Sequence, residues 1–396
     1  MRARKASTCS STNCESANAE RRAPRPSAAP FPEPFPEPLM RNFESVPAAS
    51  LALKEVRYTK AERIATIMID RPANHNAYST NTLRELQAAF QDAAFDDAVG
   101  VIVLTGSGTR AFCTGGDVKE YQASYTSIPR DYWKYMGLFA AYIESIVNAG
   151  KPVIARLNGM AVGGGSESQL ACDLAVMAEH AWTGQVGTRV GSVAAGGATQ
   201  WLALHVGDRR AREMLLLNER IPAAKALDWG LVNRVVPSVT KDGKFITGAT
   251  AEQIEKAHGG KEGYAIDLTK LDEEVKTLAL RLLEQFPECQ RYTKQSANFW
   301  KDLSWHQTIG HAREWLTLHY ASLEPWEGMR AFVEKRPADY RGVRDKMADG
   351  GSSEFVWGAY ERDCGTCGAK GMPVGFEYCG SCGVALGVVS RNGVEK

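Results

Sequence analysis

The spacing of apolar positions changes period repeatedly along the chain. Val56-Arg-Tyr58 and Ile64–Ile69 are rich in β-branched and aromatic residues and predict two strands, the second closed by Asp70-Arg-Pro72. Leu83, Leu86, Phe90 and Ala94 then recur on one face of a helix. Val99–Leu104 is a continuous apolar run, the pattern of a strand covered on both faces. Strand, helix and strand in succession predict an α/β chain. Tyr132, Trp133, Met136, Phe139, Ile143 and Val147 return to helical spacing, and such a stripe predicts core more readily than pocket lining.

Further along, Val153-Ile-Ala155 and Leu174-Ala-Val176 read as strands, and Gly184–Thr199 as a long glycine-punctuated loop. Ala211, Met214, Leu215, Ala223 and Leu227 carry helix periods before a strand at Leu231–Val236. Lys241-Asp-Gly-Lys244 has hairpin chemistry, and the polar stretch Thr247–Gly263 predicts a surface insertion. Leu268–Phe286 and Tyr292–Tyr320 predict two amphipathic helices, the second carrying Trp300, Trp305 and Trp315, that pack on their own body or on a partner subunit. The predicted organisation is a Pro-rich disordered tail over residues 1–50, an α/β core over 51–265, a helical region over 266–345, and a linker with a small cysteine module over 346–396.

The tail contains Phe31-Pro-Glu-Pro-Phe-Pro-Glu-Pro38, too rich in proline for helix or sheet. It has no apolar segment of the signal-peptide kind, and Met40 stands as an alternative first residue. Of 396 residues 44% are hydrophobic, enough for a large core. With 47 basic and 46 acidic residues no net field draws in nucleic acid or an anionic membrane, and no run is long enough to span a bilayer. Nine cysteines are dilute in a chain of this length, which points to a reducing, cytoplasmic setting.

The chemistry-bearing stretch is Gly159-Met-Ala-Val-Gly-Gly-Gly-Ser-Glu167. A strand that breaks at consecutive glycines and restarts as a helix leaves outward amides where the helix dipole favours negative charge. Glu167 falls in the first helical turn, as a dipole-complementing carboxylate or as an acid/base beside an oxyanion site. Ala111-Phe-Cys-Thr-Gly-Gly-Asp117 is a second glycine bend after a strand, and the two sets of amides could meet at one oxygen.

These two stretches, with Lys151–Gly159, Ala171-Cys-Asp173, Ala226–Asn233 and Glu327–Arg336, resemble the crotonase (enoyl-CoA hydratase/isomerase) superfamily over roughly residues 53–340. Within it, Phe112-Cys-Thr-Gly-Gly116, Lys119-Glu-Tyr121, Asp131-Tyr132, Tyr135-Met136 and the insertion after Pro237 look most like the 6-oxocyclohex-1-ene-1-carbonyl-CoA hydrolases, ring-opening enzymes of anaerobic aromatic degradation. The resemblance implies a spiral of ββα turns with C-terminal helices that complete a trimer or hexamer. It implies an acyl-CoA thioester whose carbonyl oxygen sits between the amides of Gly116 and Gly164, with Glu167 as the acid/base. The position of the usual second glutamate falls on Gly187, and Ala194 and Ala195 stand where some relatives have an aspartate, which puts ordinary two-glutamate hydration in doubt.

His75, Ala77, Tyr78 and Asp117 lie near the site by motif, with Lys119 a candidate for CoA phosphate. Asp117 also reads as a helix N-terminal acid and His75 as a loop hydrogen-bonder. Other chemistries compatible with the resemblance are hydration, double-bond isomerisation and naphthoate-synthase-like ring closure, the last suggested by Gly187 and Val190-Gly-Ser192. No organic cofactor beyond the CoA of the substrate is expected.

Cys364-Gly-Thr-Cys367 and Cys379-Gly-Ser-Cys382 form a CxxC…CxxC pair that resembles a zinc ribbon and suits tetrahedral, structural Zn²⁺. The module also raises a different class of function, an acyl-CoA-binding body that docks a partner without turnover. Nearby basic residues are few, Lys370, Arg391 and Lys396, so nucleic acid is a poor fit.

Overall fold

The computed structural model describes residues 43, 45–126, 128–348, 360–373 and 375–387. The proline-rich repeat, most of the predicted tail, the start of the predicted linker module, Arg391 and Lys396 lie outside the described residues. The strands are β1 (Val56–Ala61), β2 (Ile64–Ile69), β3 (Val101–Gly106), β4 (Ala111–Cys113), β5 (Val153–Leu157), β6 (Met160–Val162), β7 (Leu174–Ala178), β8 (Trp182–Gly184), β9 (Ile221–Pro222) and β10 (Arg234–Val236).

Among the described residues, one sheet runs β1-β2-β3-β5-β7-β10, antiparallel between β1 and β2 and parallel thereafter. A second runs β4-β6-β8-β9, parallel except at β9. Strands adjacent in sequence therefore alternate between the sheets: β3 then β4, β5 then β6, β7 then β8. Each pair is followed by helix, so the chain climbs in repeated strand–strand–helix turns. This is the crotonase spiral. β3 is buried at every position, as its unbroken apolar run requires.

The helices are α1 (Thr80–Phe95), the short α2 (Val118–Glu120), α3 (Pro129–Val147), α4 (Gly164–Ala171), α5 (Ala198–Val206), α6 (Asp208–Leu217) and α7 (Ala223–Asp228). Ser79 caps α1 through a reciprocal bond with Thr82. α1 buries Leu83, Leu86 and Phe90 as predicted, together with Thr82, Ala89 and Ala93, while the predicted Ala94 is half-buried.

The stretch predicted as a surface insertion, Thr247–Gly263, carries one helix and is bracketed by strands. β11 (Val239–Lys241), β12 (Lys244–Ile246) and β13 (Tyr264–Ile266) make a small antiparallel sheet, and α8 (Ala251–His258) lies between its last two strands. Its hairpin turns at Asp242 and Gly243, both left-handed with φ of 50° and 76°, the geometry that favours Asp-Gly.

The C-terminal helices are α9 (Thr269–Leu283), α10 (Pro287–Ala297), α11 (Phe299–His319), α12 (Leu323–Glu334) and α13 (Tyr340–Ala348). Tyr292–Tyr320 is thus two helices parted at Asn298, where the expectation was one. Asn298 explains the break, because its side-chain amide donates to the Val147 carbonyl at 3.2 Å and fixes the corner to the body. Lys294 does the same from a site 8% exposed, donating to Asp173 Oδ2 at 2.8 Å and to the carbonyls of Ile146 and Lys151. α11 buries Trp305 against Trp201 and leaves Trp300 and Trp315 exposed. The final described segment carries β14 (Tyr360–Arg362) and β15 (Met372–Pro373).

Candidate functional site

Register explains why distant glycines meet. Cys113 on β4 pairs with Ala161 on β6, which pairs with Thr183 on β8. Counting three residues on from the first two of these reaches Gly116 and Gly164, and four on from Thr183 reaches Gly187. The three glycines therefore leave successive turns of the spiral at equivalent places, and all three line one cleft.

The first two turns touch. Gly115 has φ of +86°, and a Cβ there would lie 2.9 Å from the Gly164 nitrogen, so only glycine fits the close approach. Gly163 precedes α4 at φ 55° and ψ −124°, a conformation open essentially to glycine alone. Tyr78 N donates to Gly115 O at 2.9 Å and Asp117 N to Tyr78 O at 3.0 Å, a pattern that skips the intervening Gly116 amide. Gly164 opens α4, so its amide lacks an intrahelical acceptor. Among the described residues neither amide has a hydrogen-bond partner. Two free donors on touching turns are the requirement for an oxyanion site.

Glu167 follows one turn into α4, 4% exposed. Its Oε1 accepts from the amides of Gly196 (2.5 Å) and Ala198 (3.2 Å), while among the described residues Oε2 has no partner. Burial pushes its pKa up to about 7 against those two amides, which pull it down. A carboxyl group poised near neutrality can take a proton and return it.

The cleft holds about 90 Å³ and is open to solvent. Its walls include Tyr78, Tyr121, Tyr132, Met136 and Phe139. Tyr132, Met136 and Phe139 of the α3 stripe are buried in the core as expected and line the cleft as well. Ile143 and Val147 remain in the core, and Trp133 is 39% exposed under the Arg313 guanidinium. At the third turn Gly187, Ala194 and Ala195 line the cleft without a carboxylate.

The remaining motif residues sit around the site. Asp117 caps α2 by accepting from Lys119 N at 3.1 Å, and its other oxygen accepts from Arg71 and Asn74. His75 is left-handed (φ 51°) and exposed, and its carbonyl accepts from Thr114. Ala77 is buried, its carbonyl bonded by Arg71 Nη1, and Lys119 is exposed. Among these, Tyr78 alone lines the cleft.

Sequence reasoning missed the polar scaffold. Asn76, 1% exposed, donates to the carbonyls of Ser107 and Ala111; Asn158, fully buried, donates to those of Gly108 and Ala111 and accepts from Gly106 N. Both satisfy loop carbonyls that would otherwise be buried unpaired, and so hold the strand that leads into Gly115 and Gly116. An Asn inside an apolar run, as in Arg156-Leu-Asn158, was the available signal.

These turns and this fold define a class. Residues 59–258 match the family model described as enoyl-CoA hydratase/isomerase, and the chain belongs to that family; it is an enzyme of the crotonase type. Among curated relatives it is 37% identical over 311 residues to a 6-oxocyclohex-1-ene-1-carbonyl-CoA hydrolase of Geobacter metallireducens, covering 72% of this chain and 81% of that one. A protein of the same name from Thauera aromatica is 35% identical, covering 72% and 82%. An enoyl-CoA hydratase structure from Mycobacterium avium subsp. paratuberculosis shares the fold at 24% identity and TM-score 0.59, covering 73% of this chain and 99% of that one. One from Bacillus anthracis does so at 27% and 0.52, covering 73% and 100%. No helix among the described residues is long and apolar enough to cross a membrane.

The cysteine module is a second candidate site. The four Sγ atoms of Cys364, Cys367, Cys379 and Cys382 lie within 4.8 Å of one another, a set able to hold a metal ion. Its two halves repeat: Gly368 N donates to Cys364 O and Gly383 N to Cys379 O, with φ of 74° and 73° at the glycines.

Proposed function

We propose that the protein is an acyl-CoA hydrolase that opens the ring of a cyclic oxo-enoyl thioester. The observation that carries this reading is the lone carboxylate: among the described residues Glu167 Oε2 has no partner, and it shares its cleft with the free amides of Gly116 and Gly164 and with no second acid. The two relatives named above support the substrate class.

In the proposed reaction the two amides hold the thioester oxygen. Ionised Glu167 takes a proton from water, whose oxygen bonds to the ring ketone carbon. Once the conjugated double bond has been hydrated and the α-carbon is saturated, the bond from the ketone carbon to the thioester α-carbon breaks, and its electron pair becomes an enolate held by the same amides. Glu167 returns the proton to the α-carbon, leaving an open-chain carboxylate thioester. The hydration that precedes it uses the same base: Glu167 takes a proton from a first water, whose oxygen bonds to the β-carbon, the double-bond electrons become an enolate held by the two amides, and Glu167 returns the proton to the α-carbon. Incubation with 6-oxocyclohexenecarbonyl-CoA, crotonyl-CoA and succinylbenzoyl-CoA, read by product mass, tests the proposal. Gain of water with ring opening on the first supports it; hydration of crotonyl-CoA alone, or ring closure of the third, overturns it.

Zn²⁺ is the metal the four thiols fit. Tetrahedral ZnS₄ with bonds near 2.3 Å places sulfurs about 3.8 Å apart, against 3.6 Å for the pairs Cys364–Cys382 and Cys367–Cys379. Four protein ligands leave no open position, which makes the role structural. The module's apolar core is Cys364, Met372 and Cys379 with Ala369 and Leu386, too little to hold a fold without metal. Exposed Phe286, Tyr292, Phe299, Trp300, Leu318 and Phe332 on the C-terminal helices support a homo-oligomer.

A further inference from the structure

Tyr121 opens a wide turn, Tyr121–Tyr125, closed by an i→i+5 bond from Thr126 N to the Tyr121 carbonyl at 3.0 Å. The turn swings the phenol over the first glycine bend, where a Cβ built on Gly116 would overlap its hydroxyl. The Tyr78 hydroxyl stands in the same relation to Gly164. Each of the two glycines with a free amide therefore has a phenolic hydroxyl against it.

The hydrogen count at Tyr121 is informative. Its hydroxyl is 2.5 Å from that of Tyr135, and among the described residues neither oxygen has another partner. Two hydroxyls carry two protons, and their mutual bond uses one. If Tyr121 were the donor, the spare proton would sit on Tyr135, which is 1% exposed and does not line the cleft. That would strand a buried donor. If Tyr135 is the donor, the spare proton is on Tyr121, which does line the cleft. Burial selects the second arrangement. Tyr135 saturates one lone pair of Tyr121 and leaves its O–H directed at whatever acceptor the cleft receives. Tyr78 adds a hydroxyl that also lacks a partner among the described residues, held in place by stacking on Phe139 at 5.4 Å.

Both phenols ionise well above their usual range because they are buried, so they act as neutral donors. The cleft thus offers two kinds of donor, amide pair and phenol, and a simple enoyl thioester has one acyl oxygen to receive them. We infer that Tyr121, aligned by Tyr135, binds a second acyl oxygen in a 1,3 relation to the thioester carbonyl, and so selects β-oxo thioesters over thioesters that lack it. This rests on the proposed ring-opening reading and names the group that recognises the ring ketone.

The test is a binding comparison on the full chain. Dissociation constants for 6-oxocyclohexenecarbonyl-CoA and for cyclohexenecarbonyl-CoA, which lacks the ketone, are measured by calorimetry for wild type, Tyr121→Phe and Tyr135→Phe, with Glu167→Gln in every background to prevent turnover. The expected result is about 10-fold or greater preference for the oxo thioester in the Glu167→Gln parent. Tyr121→Phe brings that ratio to within about 3-fold of unity, Tyr135→Phe lowers it less, and affinity for the ketone-free thioester stays put in both. Equal weakening of both ligands by Tyr121→Phe, or an unchanged preference, overturns the inference. Ring opening by the wild type is a separate readout: if it fails while the binding preference obeys the pattern, the reaction proposal falls and the recognition of a second oxygen stands.

Discussion

Replacing Glu167 by Gln separates what this carboxylate does for the reaction from what it costs the fold. Gln is nearly isosteric, and its Oε1 can still accept from the amides of Gly196 and Ala198. What disappears is the charge. The folded pKa of Glu167 lies near 7, raised from 4.5 by burial. At about 1.4 kcal/mol for each pH unit, ionising this group in the native state costs about 3 kcal/mol relative to the unfolded chain.

The sign follows from the raised value. Below pH 4.5 the carboxyl is protonated in both states and there is no penalty. As pH rises from 4.5 towards 7 the unfolded chain ionises first, so native stability falls. Above about 7 the full penalty is in place. Glu167→Gln removes it, and should therefore stabilise the protein by about 3 kcal/mol at pH 8.5 and by under about 1 kcal/mol at pH 5. Urea unfolding at those two pH values measures the difference directly. On the wild type, kcat/KM for the ring thioester should rise through an apparent pKa near 7, because the ionised form is the base, and the variant should be inactive while still binding thioester. A stability gain that does not grow with pH, or a variant that turns over, would refute the account of Glu167 as a buried base.

Other consequences are checked as simply. Gly164→Ala drives a methyl group into the Tyr78 hydroxyl and so displaces the turn that aims the free amide, and should lower kcat/KM by about 10² to 10³, the loss typical of one misplaced oxyanion donor; activity within threefold of wild type would refute the close approach of Tyr78 to Gly164. Asp173→Asn leaves the Lys294 ammonium, 8% exposed, without its carboxylate, and should cost about 3 kcal/mol in urea unfolding. Elemental analysis should find one zinc per chain, lost in Cys364→Ser together with Cys379→Ser; because a four-thiolate site leaves no ligand position free, ring-opening kcat should be unchanged. Trp300→Glu places a charge on an indole that is 63% exposed, and should shift the protein to a smaller species in sedimentation if that face meets another copy.

Much of the spiral was legible because its strands declare themselves one at a time. Val99–Leu104 has the apolar run of a strand buried on both faces, found two residues later at Val101–Gly106, and the glycines after β4 and β6 mark the bends that follow those strands. The meeting of those turns was legible through the family resemblance, since nothing local says that a bend at 115 and another at 163 touch. What could not be read were the contacts made by polar residues over long separations. Lys294 and Asp173 are 121 residues apart, and no periodicity joins them. The split of the long helix at Asn298 was invisible for the same reason, since the carbonyl that holds the corner belongs to Val147.

The third turn shows where the two kinds of reading complement each other. Sequence alone puts two-glutamate hydration in doubt, since position 187 is glycine and 194 and 195 are alanines, and among the described residues Glu167 is the one acid that lines the cleft. That absence could mean a lost activity. It is equally what the proposed ring-opening chemistry requires, because the same cleft is lined by the phenols of Tyr78 and Tyr121. A second carboxylate would repel the enolate that the amides of Gly116 and Gly164 are placed to hold, whereas a neutral phenol donates to it. A cleft with one base near neutrality and two phenols is therefore better matched to a substrate bearing two oxygens than to the simple enoyl thioester that a pair of glutamates hydrates.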